Sequence, residues 1–276
     1  MVDATPGPSD GLLIEQRGAV GWITLDRADV RNAIGHRQRI ELVATLSGWS
    51  ADPTVRAVVI TGSGGSFCAG ADLRSNESPP DRPDGAPERI GGDLVRRQKR
   101  SAQSLIAAIL DCEKPVIAAV NGVAAGMGVH VALACDFVVA ARGARLMEVF
   151  VSRGLVPDAG GAYLLTRLVG LQKVKEILLL GDALSADQAL ELGLVNSVVS
   201  EDELEETVGA LAERLASGPT RTLALTKWMI NRAVDADRST CFEDEAMAVE
   251  MNMHSRDAQE GLAAFVERRN VHYLGW

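Results

Sequence analysis

Three segments of this 276-residue chain pair small residues with groups able to do chemistry. The first is Ser66-Phe67-Cys68-Ala69-Gly70-Ala71-Asp72-Leu73. The second is Lys114-Pro115 through Gly126-Met127-Gly128, continuing to Cys135-Asp136. The third is Gly154-Leu155-Val156-Pro157-Asp158-Ala159-Gly160-Gly161. Each follows a strand candidate or precedes a helix candidate. Small residues let a ligand approach the backbone, and a helix start offers unpaired N–H groups to developing negative charge. Any one of these clusters reads first as a tight turn. Three together in an α/β context favour a site, without naming its ligand. None matches the phosphate loop G-x-x-x-x-G-K-[ST], or a G-x-G-x-x-G after a first strand.

The elements that would carry these segments are legible from periodicity. Leu12–Gln16 and Ala19–Leu25 read as strands, and a helix is expected over about 36–50. Ala57–Ile60 and Pro115–Val120 are continuous apolar runs, as strands buried on both faces require. Gly62–Asp72 reads as a loop, and 75–92, with four prolines, as a mobile surface segment shaped like a lid. One helix is expected over about 93–111 and a short one over 128–134. Strands are expected at Phe137–Ala140, 145–149 and Leu194–Val199. Ser185…Gln188 and Ser200…Glu203 have the form of capping boxes. Helices over about 201–217, 219–232, 238–254 and 257–269 complete the chain. The organisation expected is a disordered tail over 1–11, an α/β core over 12–200 and a helical C-terminal region over 201–276.

Composition removes several function classes. There are 28 basic and 37 acidic residues, a net charge of −9, and the apolar fraction is 47%. That is a globular composition, and the acidic balance argues against nucleic acid as partner. The four cysteines show no C-x-x-C spacing and the four histidines no H-x-x-x-H pair, so neither a disulfide framework nor a metal site is indicated. No signal-like or membrane-spanning apolar run is present. A cytoplasmic location is the expectation.

Taken together, the motifs resemble those of the crotonase family, the enoyl-CoA hydratase/isomerase superfamily. Asp26-Arg27 through Asn32-Ala33 resembles an early family motif. Phe67–Asp72 and Pro115–Gly128 resemble its two most specific ones, and Gly181–Val195 and Ala264–Arg269 its later ones. The resemblance implies a ββα superhelix, or spiral, with a helical C-terminal trimerisation region. It implies an acyl-CoA thioester as substrate, with coenzyme A entering as part of that substrate and no separate cofactor. It implies self-association as a homotrimer or dimer of trimers. By motif position, the N–H groups of Ala71 and Met127 would form an oxyanion hole. Ala69, Gly70, Ala71, Asp72, Leu73 and Arg74, with Gly126, Gly128 and Phe150, would contact the thioester.

The sequence also departs from that pattern. The two glutamates of family hydratases fall here on His130 and Phe150, and phenylalanine takes no proton. Met127 replaces a glycine, which would strain a backbone angle that needs one and would place a side chain at the acyl pocket. Asp158 falls where several family isomerases carry a catalytic acid. One carboxylate suffices for double-bond isomerisation, since it can remove a proton at one carbon and return it at another. Its alternative role is as the N-cap of the following helix. Leu155, Val156 and Phe150 are expected to bury it. His130 is a second acid–base candidate, with a packed polar residue as its alternative. Glu148 is a third, sharing a face with Phe150 if 145–150 is a strand; otherwise it is a surface charge beside Arg145 or Arg153. Tyr163 is expected to pack, and Asp136 to order a turn. The activity expected is isomerisation of an enoyl-CoA through Asp158. The alternatives are hydration through displaced groups, His130 or Glu148, or acyl-CoA binding without chemistry.

Overall fold

The continuous apolar runs become strands flanked on both sides. The computed structural model describes residues 11–74, 85–87 and 90–276. Residues 1–10 of the expected tail and most of the 75–92 segment lie outside the described residues. Strand β3 (Ala57–Gly62) lies parallel between β2 (Val20–Leu25) and β5 (Val116–Val120), with Val58 opposite Val116 and Ile60 opposite Ala118. β1 (Leu12–Arg17) pairs antiparallel with β2 at one end. β7 (Phe137–Ala141) and β10 (Ser197–Val199) continue the sheet in parallel beyond β5. Successive side chains point to opposite faces. Val58 and Ile60 therefore enter the main core with Leu42 and Leu46 of α1 (His36–Ala51). Ala57, Val59, Ile117 and Val139 face the other way, against Leu204, Val208 and Ala212 of α7 (Leu204–Ala216). Both faces are covered, which is why Ala57–Ile60 shows no polar alternation.

A second, smaller sheet holds β4 (Ser66–Cys68), β6 (Val123–Ala125) and β8 (Arg145–Met147) in parallel, with β9 (Leu184–Ser185) antiparallel at its edge. Each circuit of the chain leaves one strand in the large sheet and a short one in the small sheet: β3 then β4, β5 then β6, β7 then β8. Helices close the circuits. This is the expected ββα spiral.

Several local expectations change. The helix expected over 93–111 is two, α2 (Asp93–Arg100) and α3 (Ala102–Leu110), broken at Ser101. The apolar face ends there: α2 buries nothing, whereas α3 buries Ala102, Leu105, Ile106 and Ile109. β4 and β6 lie in segments without strand signals. α4 (Met127–Ala134) starts one residue earlier than its pattern suggested, and β8 stops at Met147. Ser185 and Gln188 form their reciprocal box at the start of α6 (Ala186–Glu191). At Ser200 the box is incomplete: the Glu203 carboxylate accepts from the Ser200 N–H and hydroxyl, and α7 begins only at Leu204.

α5 (Gly161–Leu180), α8 (Thr220–Ala233), α9 (Arg238–Met253) and α10 (Arg256–Glu267) make the later part helical. α9 buries only Ala248, and Phe242, Met247, Val249, Phe265 and Val266 stand exposed on α9 and α10. No described helix is long and apolar enough to cross a membrane.

Candidate active site

The three parallel strands of the small sheet end at the three segments singled out above. Ala71 follows β4, Met127 follows β6, and Phe150 and Asp158 follow β8. The carboxyl ends of parallel strands are where α/β proteins gather ligand groups.

Ala71 pairs with Ile34 in an isolated bridge. The Ile34 N–H donates to Gly70 O at 2.8 Å and the Asp72 N–H to Ile34 O at 3.1 Å, and the Ala71 N–H between them has no backbone partner among the described residues. The Met127 N–H opens the first turn of α4, where no carbonyl precedes it in the helix. The two amides are brought together by close approach. A β-carbon on Gly70 would sit 3.5 Å from Met127 N, and one on Gly128 would sit 2.2 Å from Cys68 O. The second distance admits no side chain, so glycine at 128 is what lets α4 lie on β4. The positive backbone angle expected at Met127 falls on Gly126 instead, at φ 52°. Met127 is therefore unstrained, and its side chain is buried in the main core. The Met127 amide stands at the start of a helix and the Ala71 amide beside it follows β4, an arrangement that suits an anionic oxygen.

Ala69 and Gly70 are tied in from behind. The Ala69 N–H donates to Arg31 O at 2.9 Å. Buried Asn32, in the left-handed region at φ 58°, donates to Ser63 O and Ser66 O at 2.9 and 2.7 Å and accepts from the Arg27 N–H. Arg27 reaches the Asp72 carboxylate at 2.9 Å. Burial acts to raise the Asp72 pKa, but the Arg74 N–H and the Arg27 guanidinium outweigh it and hold the carboxyl below its ordinary range. Leu73 and Arg74 are exposed at the rim, and the Arg74 N–H donates to Asp72 at 3.0 Å. Cys68 offers no nucleophile: burial pushes its thiol up to about 12.

The structure brings His130, Glu148 and Phe150 together. His130, on α4, is wholly buried; its Nε2 lies 3.1 and 3.3 Å from the two Glu148 oxygens, and its ring stacks on Phe150 at 5.6 Å. Glu148 is thus a buried partner of His130, not a surface charge beside Arg145 or Arg153. Because β8 ends at Met147, no strand aligns it with Phe150; both instead meet at the imidazole. Gly161, at the start of α5, lies against the same ring, where a β-carbon would come 2.3 Å from Nε2. That contact fixes the Asp158 loop against the first turns of α4.

Asp158 is half-buried and does not cap α5. Gly160 occupies the N-cap position with no side-chain cap, while the Gly161 N–H donates to Asp158 O at 3.0 Å. Its carboxylate instead accepts from Gln98 Nε2 of α2 at 3.1 Å. The apolar enclosure expected of Leu155 and Val156 does not form, since both side chains are exposed; only Phe150 is buried.

A family model described as "Enoyl-CoA hydratase/isomerase" matches residues 15–275. The chain belongs to the enoyl-CoA hydratase/isomerase family. It is 37% identical over 253 residues to the 1,2-epoxyphenylacetyl-CoA isomerase of Escherichia coli, covering 92% of this chain and 94% of that protein. It is 32% identical to the crotonyl-CoA hydratase of Syntrophomonas wolfei, covering 96% and 98%. The crystal structure of an enoyl-CoA hydratase from Bacillus anthracis superposes with a TM-score of 0.86 at 33% identity, covering 97% of this chain and all of that one. The protein is thus an enzyme of hydratase/isomerase type acting on acyl-CoA thioesters.

Within this hydratase/isomerase fold, two residues differ from their expected roles. Tyr163 is partly exposed, donating to Asp235 at 2.8 Å beneath the Arg167 guanidinium. Asp136 accepts from the Val116 N–H at 2.7 Å and from Lys227 of α8 at 2.8 Å, tying two strands to a helix. Burial raises its pKa in spite of these partners. Gln98 gave no sequence signal: its contact with Asp158 spans 60 residues and is made only by the fold.

Proposed function

We propose that this enzyme isomerises the double bond of an enoyl-CoA, with Asp158 as its single proton-carrying carboxylate. The Ala71 and Met127 amides hold the negative charge on the thioester oxygen when Asp158 removes a proton. The resulting dienolate collapses as Asp158 returns that proton at the other end of the conjugated system. Protons and electrons balance without water or a separate cofactor.

The observation that carries this reading is how the two nearby carboxylates are used. Glu148 is closed on His130 inside the core, whereas Asp158 stands half-buried at the segment following β8, one oxygen bound by a neutral amide. Similarity to a relative named an isomerase points the same way. A hydratase reading has one observation in its favour. The buried His130–Glu148 pair beside Phe150 is an acid–base couple, close to where family hydratases place a glutamate.

Incubation with 2-enoyl-CoA and 3-enoyl-CoA of several chain lengths in deuterated water separates the two. Double-bond migration with deuterium uptake, lost by roughly 100- to 10,000-fold in Asp158→Asn, supports isomerisation. Water addition lost in Glu148→Gln supports the hydratase. Full turnover in Asp158→Asn would sink the proposal. Assembly into a trimer or dimer of trimers through the exposed apolar faces of α9 and α10 completes the picture. Mass measurement in solution checks that assembly.

A further inference from the structure

The carboxylate of Asp158 is held from two directions. Its backbone is set by the turn that follows: the Gly161 N–H donates to Asp158 O, and Ala159 and Gly160 both lie in the left-handed region at φ 45° and 78°. That turn fixes the Cα position but leaves the side chain free to rotate about its last bond. The rotation is set by Gln98, whose Nε2 donates to Oδ2 at 3.1 Å. The amide carries no charge and does not titrate, so it orients the carboxylate without competing for its proton.

The element that carries Gln98 is also distinctive. α2 contributes no residue to the core and is separated from α3 by the break at Ser101. Arg96, two residues before Gln98, pairs within α2, with Asp93. The bond to Asp158 is thus a link between an otherwise shallowly anchored helix and the loop after β8.

We propose that Gln98 is a positioning residue: it holds Asp158 by Oδ2 so that Oδ1 alone takes the substrate proton and returns it. This rests on the isomerase reading above. It places orientation of the acid under the control of α2, the helix that follows the 75–92 segment.

Two substitutions test it on the full-length enzyme, with 3-enoyl-CoA isomerisation as the readout. Gln98→Met keeps the length and removes the donor. Gln98→His keeps a donor at similar reach. Gln98→Met is expected to lower kcat about tenfold, the scale of one hydrogen bond to a charged group, with KM within about twofold. Gln98→His is expected to recover most of that loss, and both variants should melt within about 2 °C of the parent, as partly exposed substitutions do. A parent-like kcat in Gln98→Met, equal losses in the two variants, or a loss confined to KM would each overturn the assignment. Asp158→Asn separates this from the reading it rests on. If Asp158→Asn is inactive while Gln98→Met is unimpaired, only the role of Gln98 falls; if Asp158→Asn is fully active, both fall.

Discussion

Arg27 and Asp72 meet at 2.9 Å across the loop that carries the Ala71 amide, and Asn32 closes that loop from the other side. The early Asp26–Ala33 motif therefore braces the backbone from which the proposed oxyanion donor, the Ala71 amide, projects. Asn32→Ala removes two donors to Ser63 O and Ser66 O and places alanine at a left-handed angle. The expected cost is about 2–3 kcal/mol in urea unfolding. With the Ala71 amide as the proposed oxyanion donor, kcat on enoyl-CoA should fall between roughly 10- and 100-fold, because displacing such a group costs rate even where the chemistry is intact. A variant that loses stability but keeps kcat would detach the motif from the oxyanion donor.

Among the described residues His130 Nδ1 has no partner, and Glu148 supplies the one hydrogen bond of a fully buried imidazole. Glu148→Ala is expected to destabilise the fold by roughly 2–3 kcal/mol, since a buried polar group is left unpaired. Glu148→Gln keeps a hydrogen-bonding partner and should cost less than half as much. Chemical denaturation of the three proteins side by side reads the difference. Equal stability of parent and Glu148→Ala would show that the pair is not a structural tie.

Glu260 binds the Arg269 guanidinium through both oxygens and accepts from the His272 N–H, fastening the segment after α10. The guanidinium, then the His272 N–H, hold its pKa at about 2, below the ordinary 4.5. A carboxyl whose folded pKa is depressed contributes stability above its unfolded pKa and loses it as pH falls toward the folded one. The difference in urea midpoint between the parent and Arg269→Met should therefore be constant from pH 7 to about 5.5, and shrink between about 4.5 and 2. A difference that stays flat down to pH 3 would contradict the pairing.

Long signals survived the passage from sequence to structure, and short ones did not. Ala57–Ile60 and Pro115–Val120 read as buried strands because every position along them is apolar. The strands Ser66–Cys68 and Val123–Ala125 have three residues each and sit among glycines, too short to show any period. Ser101 interrupts a helix without proline or glycine, so only the loss of the apolar face marks the break. The site divided in the same way. Its three segments were visible as glycine clusters, and their family resemblance singled out Ala71, Met127 and Asp158 as candidates. The His130–Glu148 contact crosses 18 residues and the Gln98–Asp158 contact 60, distances over which residue types carry no pairing information. Asp136 illustrates the limit: it does bind a nearby strand, but its partner Lys227 lies 91 residues further on.

Each of the three parallel strands of the small sheet leads to one part of the proposed chemistry: an amide after β4, an amide after β6, a carboxylate after β8. The first two are main-chain groups, indifferent to which side chain their residues carry, as Met127 shows. The third is a side chain on a loop that the sheet supports but does not specify. Inheritance can therefore act on the parts separately. On the proposed assignment, replacing residues in the last loop would change how protons are handled while the amide pair persists, so a lineage could exchange one thioester reaction for another without rebuilding the parts they share.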